Sequence, residues 1–180
     1  MNRSLMEAAA NRLMEGGEQL GRTDALMVRQ GGETLLERHG AGLDASSTLK
    51  SWSVAKSMLH AAVGILVSEG RLDPQQPAAV PEWSEPGDPR GVITLGDLLR
   101  MQPGLRWTED YVDGEGSDVI RMLFERDWEP VADTGGYAAS KDLVAPPGTL
   151  LNYSSGTSNI VSRIVAGVVG PADEYDQWLR

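Results

Sequence analysis

The sequence contains no cysteine and only two histidines, His39 and His60. The absence of cysteine excludes disulfide bonds, a thiolate nucleophile and thiolate metal ligands. A catalytic triad with histidine as its base would have to use one of the two histidines, and neither lies in a G-x-S-x-G elbow. A histidine-based triad is therefore poorly supported by this sequence.

Positive charge and long apolar runs are also scarce. The chain has 16 Lys and Arg against 26 Asp and Glu, a net charge of -10, which argues against nucleic acid or an anionic membrane as a partner. The longest apolar run, from Met58 to Val67, is interrupted by His60 and is too short to span a bilayer. The first residues lack the apolar core of a secretory signal. The default expectation is a cytoplasmic protein, or a periplasmic or secreted one if the start has been trimmed.

The rest of the composition is typical of a globular protein. The chain has 180 residues, of which 41% are hydrophobic, and this predicts one domain that can be divided into two lobes. Residues 25–29 and 33–38 flank Gln30-Gly31-Gly32. Because paired glycines supply the positive φ angles of tight hairpins, these segments are expected to form an antiparallel hairpin.

Several segments carry apolar residues at helical spacing and are predicted to form helices. They are residues 4–20, 53–69, 117–126 and 157–169. A shorter helix is predicted after Thr94, which forms a capping-box pattern with Asp97. Five prolines between residues 73 and 89 forbid a regular helix or central strand there and mark a crossing between lobes.

Ser53 and Lys56 form an S-x-x-K sequence at the start of a helix that is expected to be buried nearly all round. The spacing places both side chains on one helix face, close enough to exchange a proton. The helix N-terminus offers free N–H groups and partial positive charge, which favour the oxyanion of acyl transfer. Ser47 and Lys50 form a second match in a polar stretch without an apolar helix behind it. Ser53 is therefore the preferred nucleophile.

Tyr153 lies in a short polar loop between the Pro146-Pro147-Gly148 turn and the predicted helix at 157–169. A phenol in such a loop can reach a neighbouring site. The alternative is a packed tyrosine whose hydroxyl binds a backbone carbonyl.

In this order the segments resemble the serine beta-lactamase and penicillin-binding protein superfamily, in particular its class C and esterase-like branch, which includes 6-aminohexanoate-oligomer hydrolases. The resemblance runs from Ala25 to Arg180. Several ordered blocks are more specific than one motif. Besides the hairpin, these blocks are Ser53-Val54-Ala55-Lys56, Leu66 to Asp73, Ile93 to Met101, and Pro147-Gly148 followed by Tyr153-Ser154-Ser155.

The resemblance implies a serine hydrolase that acts on amide or ester bonds. In this family Ser53 would attack the carbonyl, Lys56 and Tyr153 would carry the proton from nucleophile to leaving group, and water would release the acyl-enzyme. The backbone N–H of Ser53 would be one oxyanion donor. No cofactor or metal is implied, and the expected partner is a small ester, amide or short peptide-like substrate. The oligomeric state is left open.

The implied fold is α+β and beta-lactamase-like, with an all-helical lobe inserted into an α/β part that has an antiparallel sheet. Residues 1–72 would be the first piece of the α/β part, and residues 73–180 the helical lobe that carries the tyrosine loop. The helical pattern at 174–179 stops at Arg180 before it can bury a face. The sheet is therefore expected to be incomplete and the chain truncated.

Two departures from the family pattern bear on activity. Ser155 occupies the place where the family's second motif often has Asn, which weakens the case for β-lactam hydrolysis and favours an esterase, amidase or oligomer hydrolase. The third motif, Lys-Thr-Gly or His-x-Gly on a late strand, has no counterpart here. That strand also supplies the second oxyanion donor in the family.

Alternatives to a hydrolase remain open. One is a penicillin-binding-like receptor or binding module without turnover, and another is a helical interaction domain in which Ser53 only caps a helix. Trp107 and Tyr111 are candidates for substrate binding together with Ser155, although core packing is also expected of the tryptophan. An acidic cluster could bind a cation but is expected to be solvated; it contains Glu109, Asp110, Asp113 and Glu115.

Overall fold

The computed structural model describes residues 2–111, 116–124, 132–170 and 172–179. The chain forms two compact units, Met1–Trp52 and Ser53–Arg180. The predicted boundary between family lobes, at residues 72 and 73, is a different division and stays a prediction. No helix in the described ranges is long and apolar enough to cross a membrane.

The first unit contains the predicted hairpin. Strand β1, Ala25–Gln30, pairs antiparallel with strand β2, Glu33–His39, and the register shifts at a bulge after Val28. Gly31 and Gly32 adopt φ angles of 58° and 85°. Residues that have a Cβ atom avoid such positive φ angles. The prediction of a glycine-based hairpin is therefore confirmed. These two strands form the sheet found in the described residues.

Helix α1, Arg3–Glu15, precedes the hairpin and is shorter than the predicted range 4–20. Its N-terminus is capped by the Asn2 side chain, which accepts hydrogen bonds from two backbone N–H groups. It ends at Gly16 because this residue turns to a φ of 66°. The apolar pattern beyond Gly16 misled the prediction, since Gly17 also has a positive φ.

The second unit is built from helices joined by irregular segments. They are α2 Ala55–Ser68, α3 Leu95–Leu99, α4 Asp118–Phe124, α5 Thr134–Ala139, α6 Ser155–Val169 and α7 Ala172–Trp178. Short 3₁₀ turns lie at Trp52–Val54, Pro81–Trp83 and Pro89–Val92. The proline-rich segment thus contains two 3₁₀ turns in place of a regular helix.

Helix α6 is the centre of the core in this unit. It contacts α2, α3, α4, α5 and α7, and its apolar face is buried through Ile160, Val161, Ile164 and Val165. The N-terminus of α6 follows Tyr153 directly, so the core helix determines where the tyrosine loop begins.

The prediction that the Ser53 helix is buried nearly all round is wrong. Helix α2 buries one face through Ala62, Val63 and Leu66. Val54, Met58 and Ile65 are 50% or more exposed. The apolar residues were numerous enough to suggest two buried faces, but α2 packs on α6 through one of them.

The predicted capping box at α3 is confirmed. The Thr94 hydroxyl accepts from the Asp97 N–H at 3.0 Å, and the Asp97 carboxylate accepts from the Thr94 N–H at 3.0 Å. The Asp97 carboxylate also accepts a hydrogen bond from the Arg100 side chain at 2.7 Å. Asp97 is buried, with 7% of its surface exposed. Burial raises the pKa of Asp97, but the bonds from Thr94 and Arg100 outweigh burial and hold that pKa below its ordinary value.

Asp97→Ala is expected to lower the free energy of unfolding by about 1–2 kcal/mol, because it removes the carboxylate half of the capping box and leaves the Thr94 N–H without its acceptor. The folded-state pKa lies below the unfolded one, so the stabilisation is present at pH 7 and is lost as pH falls below about 4. Urea unfolding followed by tryptophan fluorescence at pH 7 and pH 3 measures both effects. Asp142→Ala is the control, since its ion pair with Arg106 is exposed and is worth less than about 1 kcal/mol. Equal losses in both variants would contradict the prediction.

Candidate active site

Ser53 lies in the 3₁₀ turn Trp52–Val54 that leads into α2, and Lys56 is the second residue of α2. Lys56 Nζ donates a hydrogen bond to Ser53 Oγ at 3.0 Å. The residue before the serine, Trp52, has a φ of 45°, which is uncommon for a residue with a side chain and costs backbone strain. The S-x-x-K spacing therefore brings hydroxyl and amine into contact at the head of the helix.

Tyr153 reaches the same serine from a loop one hundred residues later. Its hydroxyl donates to Ser53 Oγ at 2.7 Å, and Lys56 Nζ lies 5.0 Å from the centre of its ring. Ser53 Oγ thus accepts hydrogen bonds from an amine and a phenol at once. The structure brings together the three residues for which a catalytic role was predicted; the roles themselves stay predictions.

The tyrosine loop is fixed on both sides of Tyr153. The backbone N–H of Asn152 donates to the Met101 carbonyl at 2.9 Å, and its side-chain amide donates to the Trp107 carbonyl at 3.1 Å. On the other side Ser154 caps α6 by accepting from the Thr157 N–H at 2.8 Å. These bonds hold the loop at the start of α6, so the phenol is held in position by the helical core.

The surroundings of Tyr153 lower its pKa. The hydrogen bond with Ser53 lowers the pKa of Tyr153, burial raises it, the bond and positive charge of Lys56 lower it, and the negative charge of Glu109 raises it. The net result is a pKa below the ordinary value of tyrosine. Tyr153 is 48% exposed, so solvent also reaches the group.

Ser155, the first residue of α6, joins the site through Lys56. Lys56 Nζ donates to Ser155 Oγ at 3.1 Å, and Ser155 Oγ donates to Glu109 Oε1 at 2.5 Å. The backbone N–H of Ser155 donates to Glu109 Oε2 at 2.8 Å. A carboxylate at a helix N-terminus is favoured by the partial positive charge there.

The expectation that Glu109 is part of a solvated acidic cluster is wrong. Its carboxylate is half-buried and accepts hydrogen bonds from Ser155, from Trp107 Nε1 at 2.6 Å and from the Tyr111 hydroxyl at 3.1 Å. Asp113 and Glu115 of the same cluster lie outside the described ranges. No group of three or more acidic or histidine side chains in the described ranges could hold a metal ion.

The two predicted aromatic substrate contacts lie at different depths. Trp107 is 7% exposed, and its ring meets Tyr137 edge-on with centroids 6.1 Å apart. Its burial supports the packing role that was the alternative. Tyr111 is 53% exposed, and burial of its hydroxyl raises the pKa of Tyr111, as does the Glu109 charge, while the bond with Ser155 lowers it. A substrate contact by either residue stays a prediction.

The segment that carries Trp107 and Glu109 is anchored to α4. The Thr108 N–H donates to Asp118 Oδ2 at 2.9 Å, and the Thr108 carbonyl accepts from the N–H groups of Asp118 and Val119. Asp118 also accepts from Lys141 Nζ at 2.6 Å. Burial raises the pKa of Asp118, but the bonds from Lys141 and Thr108 bring it below its ordinary value. Asp118 is therefore ionised at neutral pH and holds the segment firmly.

A family model described as Beta-lactamase matches residues 8–180 of the chain. The chain belongs to the beta-lactamase family. This confirms the predicted resemblance, and the sequence blocks that carried it lie within the matched residues.

Two relatives of the beta-lactamase family illustrate the match. The 6-aminohexanoate-dimer hydrolase of Paenarthrobacter ureafaciens is 34% identical over 176 residues, which cover 92% of this chain and 43% of that protein. A solved structure from Bacillus anthracis, described as a candidate 6-aminohexanoate-dimer hydrolase, matches with a TM-score of 0.66 and 22% identity over 84% of this chain and 42% of that chain. The second likeness confirms the predicted beta-lactamase-like fold and nothing more. The chain spans less than half the length of both proteins.

A large cavity of this beta-lactamase family chain lies apart from the serine. It has a volume of about 780 Å³ and is lined by residues 70–73, 76–79, 163–164 and 166–168, among others, without Ser53, Lys56 or Tyr153. The hydrogen-bonded cluster around Ser53 carries the reactive groups, so its geometry is the better guide to chemistry than the size of this cavity.

Proposed function

We propose that the chain carries the acylating site of a serine hydrolase that cleaves amide or ester bonds, with Ser53 as nucleophile. One observation carries the proposal: Ser53 Oγ accepts hydrogen bonds from both Lys56 Nζ and the Tyr153 hydroxyl. A nucleophile in contact with a base that is itself held by a third group is the general arrangement of covalent catalysis by hydroxyl groups. Membership of the beta-lactamase family supports the same reading.

In the proposed reaction Tyr153, which solvent reaches, first loses its proton to water, and the phenolate then accepts the Ser53 proton while the Oγ–carbon bond forms. The lowered pKa of Tyr153 supports this role. The Lys56 ammonium stabilises the phenolate and the bonded serine. As the tetrahedral intermediate collapses, the Tyr153 hydroxyl returns the proton to the departing amine or alcohol. Water then attacks the acyl carbon, gives a proton to Tyr153, and the Ser53 oxygen leaves and regains that proton.

The proposed substrates are small esters, amides or short peptide-like oligomers. The Paenarthrobacter relative is named a 6-aminohexanoate-dimer hydrolase, which supports an amide between short linear units. Ser155 stands in place of the Asn that is common in the second motif, and this supports esterase or amidase activity over β-lactam hydrolysis. No cofactor enters the proposed reaction.

A second candidate is a binding protein that is acylated without turnover. Acylation of Ser53 without release of the acyl group would distinguish this candidate from the hydrolase. Acylation and deacylation are therefore measured separately.

The test is covalent labelling by a fluorophosphonate probe, with the modified residue located by mass spectrometry. We expect labelling at Ser53 in the wild-type chain and none in Ser53→Ala. Ser57→Ala is the matched control, since Ser57 is an exposed serine on α2, the helix that follows Ser53, and it should be labelled like the wild type. Folded wild-type protein without label at Ser53 would overturn the proposal. Steady release of nitrophenol from a short-chain ester supports the hydrolase, whereas one burst without turnover supports the binding protein.

A further inference from the structure

Ser155 connects two charged groups that do not bond each other directly. Its hydroxyl oxygen lies 3.1 Å from Lys56 Nζ and 2.5 Å from Glu109 Oε1. A hydroxyl has one proton and two lone pairs, and an ionised carboxylate can only accept. The Ser155 proton is therefore committed to Glu109, and only its lone pairs face Lys56.

The Glu109 carboxylate is held in place, so the Ser155 hydroxyl keeps donating its proton to Glu109. Its two oxygens accept from Trp107 Nε1, the Tyr111 hydroxyl and the Ser155 N–H, in addition to the Ser155 hydroxyl. Trp107 is buried, and the neighbouring Thr108 is bonded to Asp118. Four donors and a fixed backbone leave the carboxylate in one orientation.

We infer that Glu109 is a positioning residue that acts on Lys56 through Ser155. Because its carboxylate makes Ser155 an obligatory acceptor, one Lys56 N–H is directed to Ser155 and a second to Ser53, and the amine is held between the two hydroxyls. The inference deepens the proposed function and rests on it, because positioning of Lys56 affects catalysis only if Ser53 is the nucleophile.

Loss of the carboxylate would release this constraint. A neutral amide at position 109 can donate to Ser155, whose proton is then free to turn toward Lys56 and weaken that contact. Misplacement of a reacting group by about 1 Å costs up to a hundredfold in rate. The substitution should lower the rate of the chemical step and leave the affinity for the probe unchanged. The reason is that Glu109 acts through Ser155 on the contact between Lys56 and Ser53.

The experiment measures fluorophosphonate labelling of the full chain as kinact and KI. In Glu109→Gln we expect kinact to fall about tenfold to a hundredfold while KI stays within about a factor of two. Ser155→Ala should show a similar loss. The double variant should be no slower than the slower single variant, within a factor of about two, because both substitutions break one chain of contacts. Glu85→Gln is the matched control: it removes an exposed glutamate outside the Ser53 cluster and should leave both constants unchanged.

The outcomes separate the inference from the function on which it rests. A wild-type chain that is not labelled at Ser53 overturns both. A labelled wild type with unchanged kinact in Glu109→Gln overturns the inference alone, and so do losses in the two single variants that multiply in the double variant. If Glu109→Gln lowers the melting temperature so far that it is unfolded, Ser155→Ala carries the test, and an unchanged kinact in that variant overturns the inference.

Discussion

Lys56→Met is expected to lower the rate of Ser53 labelling at pH 7 by a factor of about 10³, within the range of general acid–base contributions. The variant loses the donor that contacts Ser53 Oγ at 3.0 Å and the cation beside the phenol. Since the bond and charge of Lys56 lower the pKa of Tyr153, that pKa should rise in the variant. A smaller fraction of Tyr153 is then ionised at pH 7, and the midpoint of the rate against pH should move to higher pH.

Rates of labelling between pH 6 and pH 10 measure both parts of this prediction. Lys50→Met is the matched control, because Lys50 completes the other S-x-x-K match and is exposed; its profile should coincide with that of the wild type. A large loss of rate with an unmoved midpoint would contradict Tyr153 as the base and point to the Lys56 amine in that role. An unchanged rate would contradict any part for Lys56 in acylation.

The contact between Ser53 and Lys56 could be predicted from the sequence because it depends on local geometry. A helix places residues three apart on one face, and Lys56 lies in the first turn of α2. Their contact with Tyr153 could not be derived in this way. One hundred residues separate Tyr153 from Ser53, and the order of sequence blocks typical of the family supplied that expectation.

The position of Glu109 beside Ser155 was missed because no local pattern points to it. Its partner Ser155 lies 46 residues further along the chain, and its carboxylate is surrounded in the sequence by other acidic residues that suggest a solvated surface. An alternation was present in Trp107, Glu109 and Tyr111, whose side chains meet at the carboxylate. Alternate residues have their side chains on the same side of the backbone only if the segment is extended, and the sequence did not show that it is.

The burial of α2 shows a different limit of sequence reasoning. Its composition predicted contact on all sides, whereas Met58 and Ile65 are exposed. The hydrophobic residues of a helix show which side chains can be buried. Which of them are buried depends on the elements that pack against the helix in the tertiary structure. The hairpin and the α3 capping box were predictable because glycine φ angles and cap bonds act over a few residues.

The close approach of α6 to Trp107 depends on Gly156, and substitution of this glycine is expected to have a large effect on stability and labelling. Gly156 is buried in the first turn of α6, and a Cβ at this position would lie no more than 2.8 Å from three atoms of the Trp107 ring. The ring is in the core and its Nε1 is bonded to Glu109, so neither side can move freely. The added methyl group must displace the tryptophan or the N-terminal turn of α6, which also carries Ser155.

Gly156→Ala is therefore expected to lower the free energy of unfolding by about 3 kcal/mol, at the upper end of overpacking effects, and to reduce labelling of the folded fraction at Ser53 by tenfold or more. Urea unfolding measures the first effect and labelling under native conditions the second. Gly167→Ala is the matched control on the same helix, since its Cβ would meet nothing within 4 Å and α6 continues through it. It should be neutral or stabilise by up to about 1 kcal/mol, because alanine is the better helix former. If Gly156→Ala were as stable and as reactive as Gly167→Ala, the close packing of Trp107 on α6 would not be what holds Glu109 and Ser155 in place.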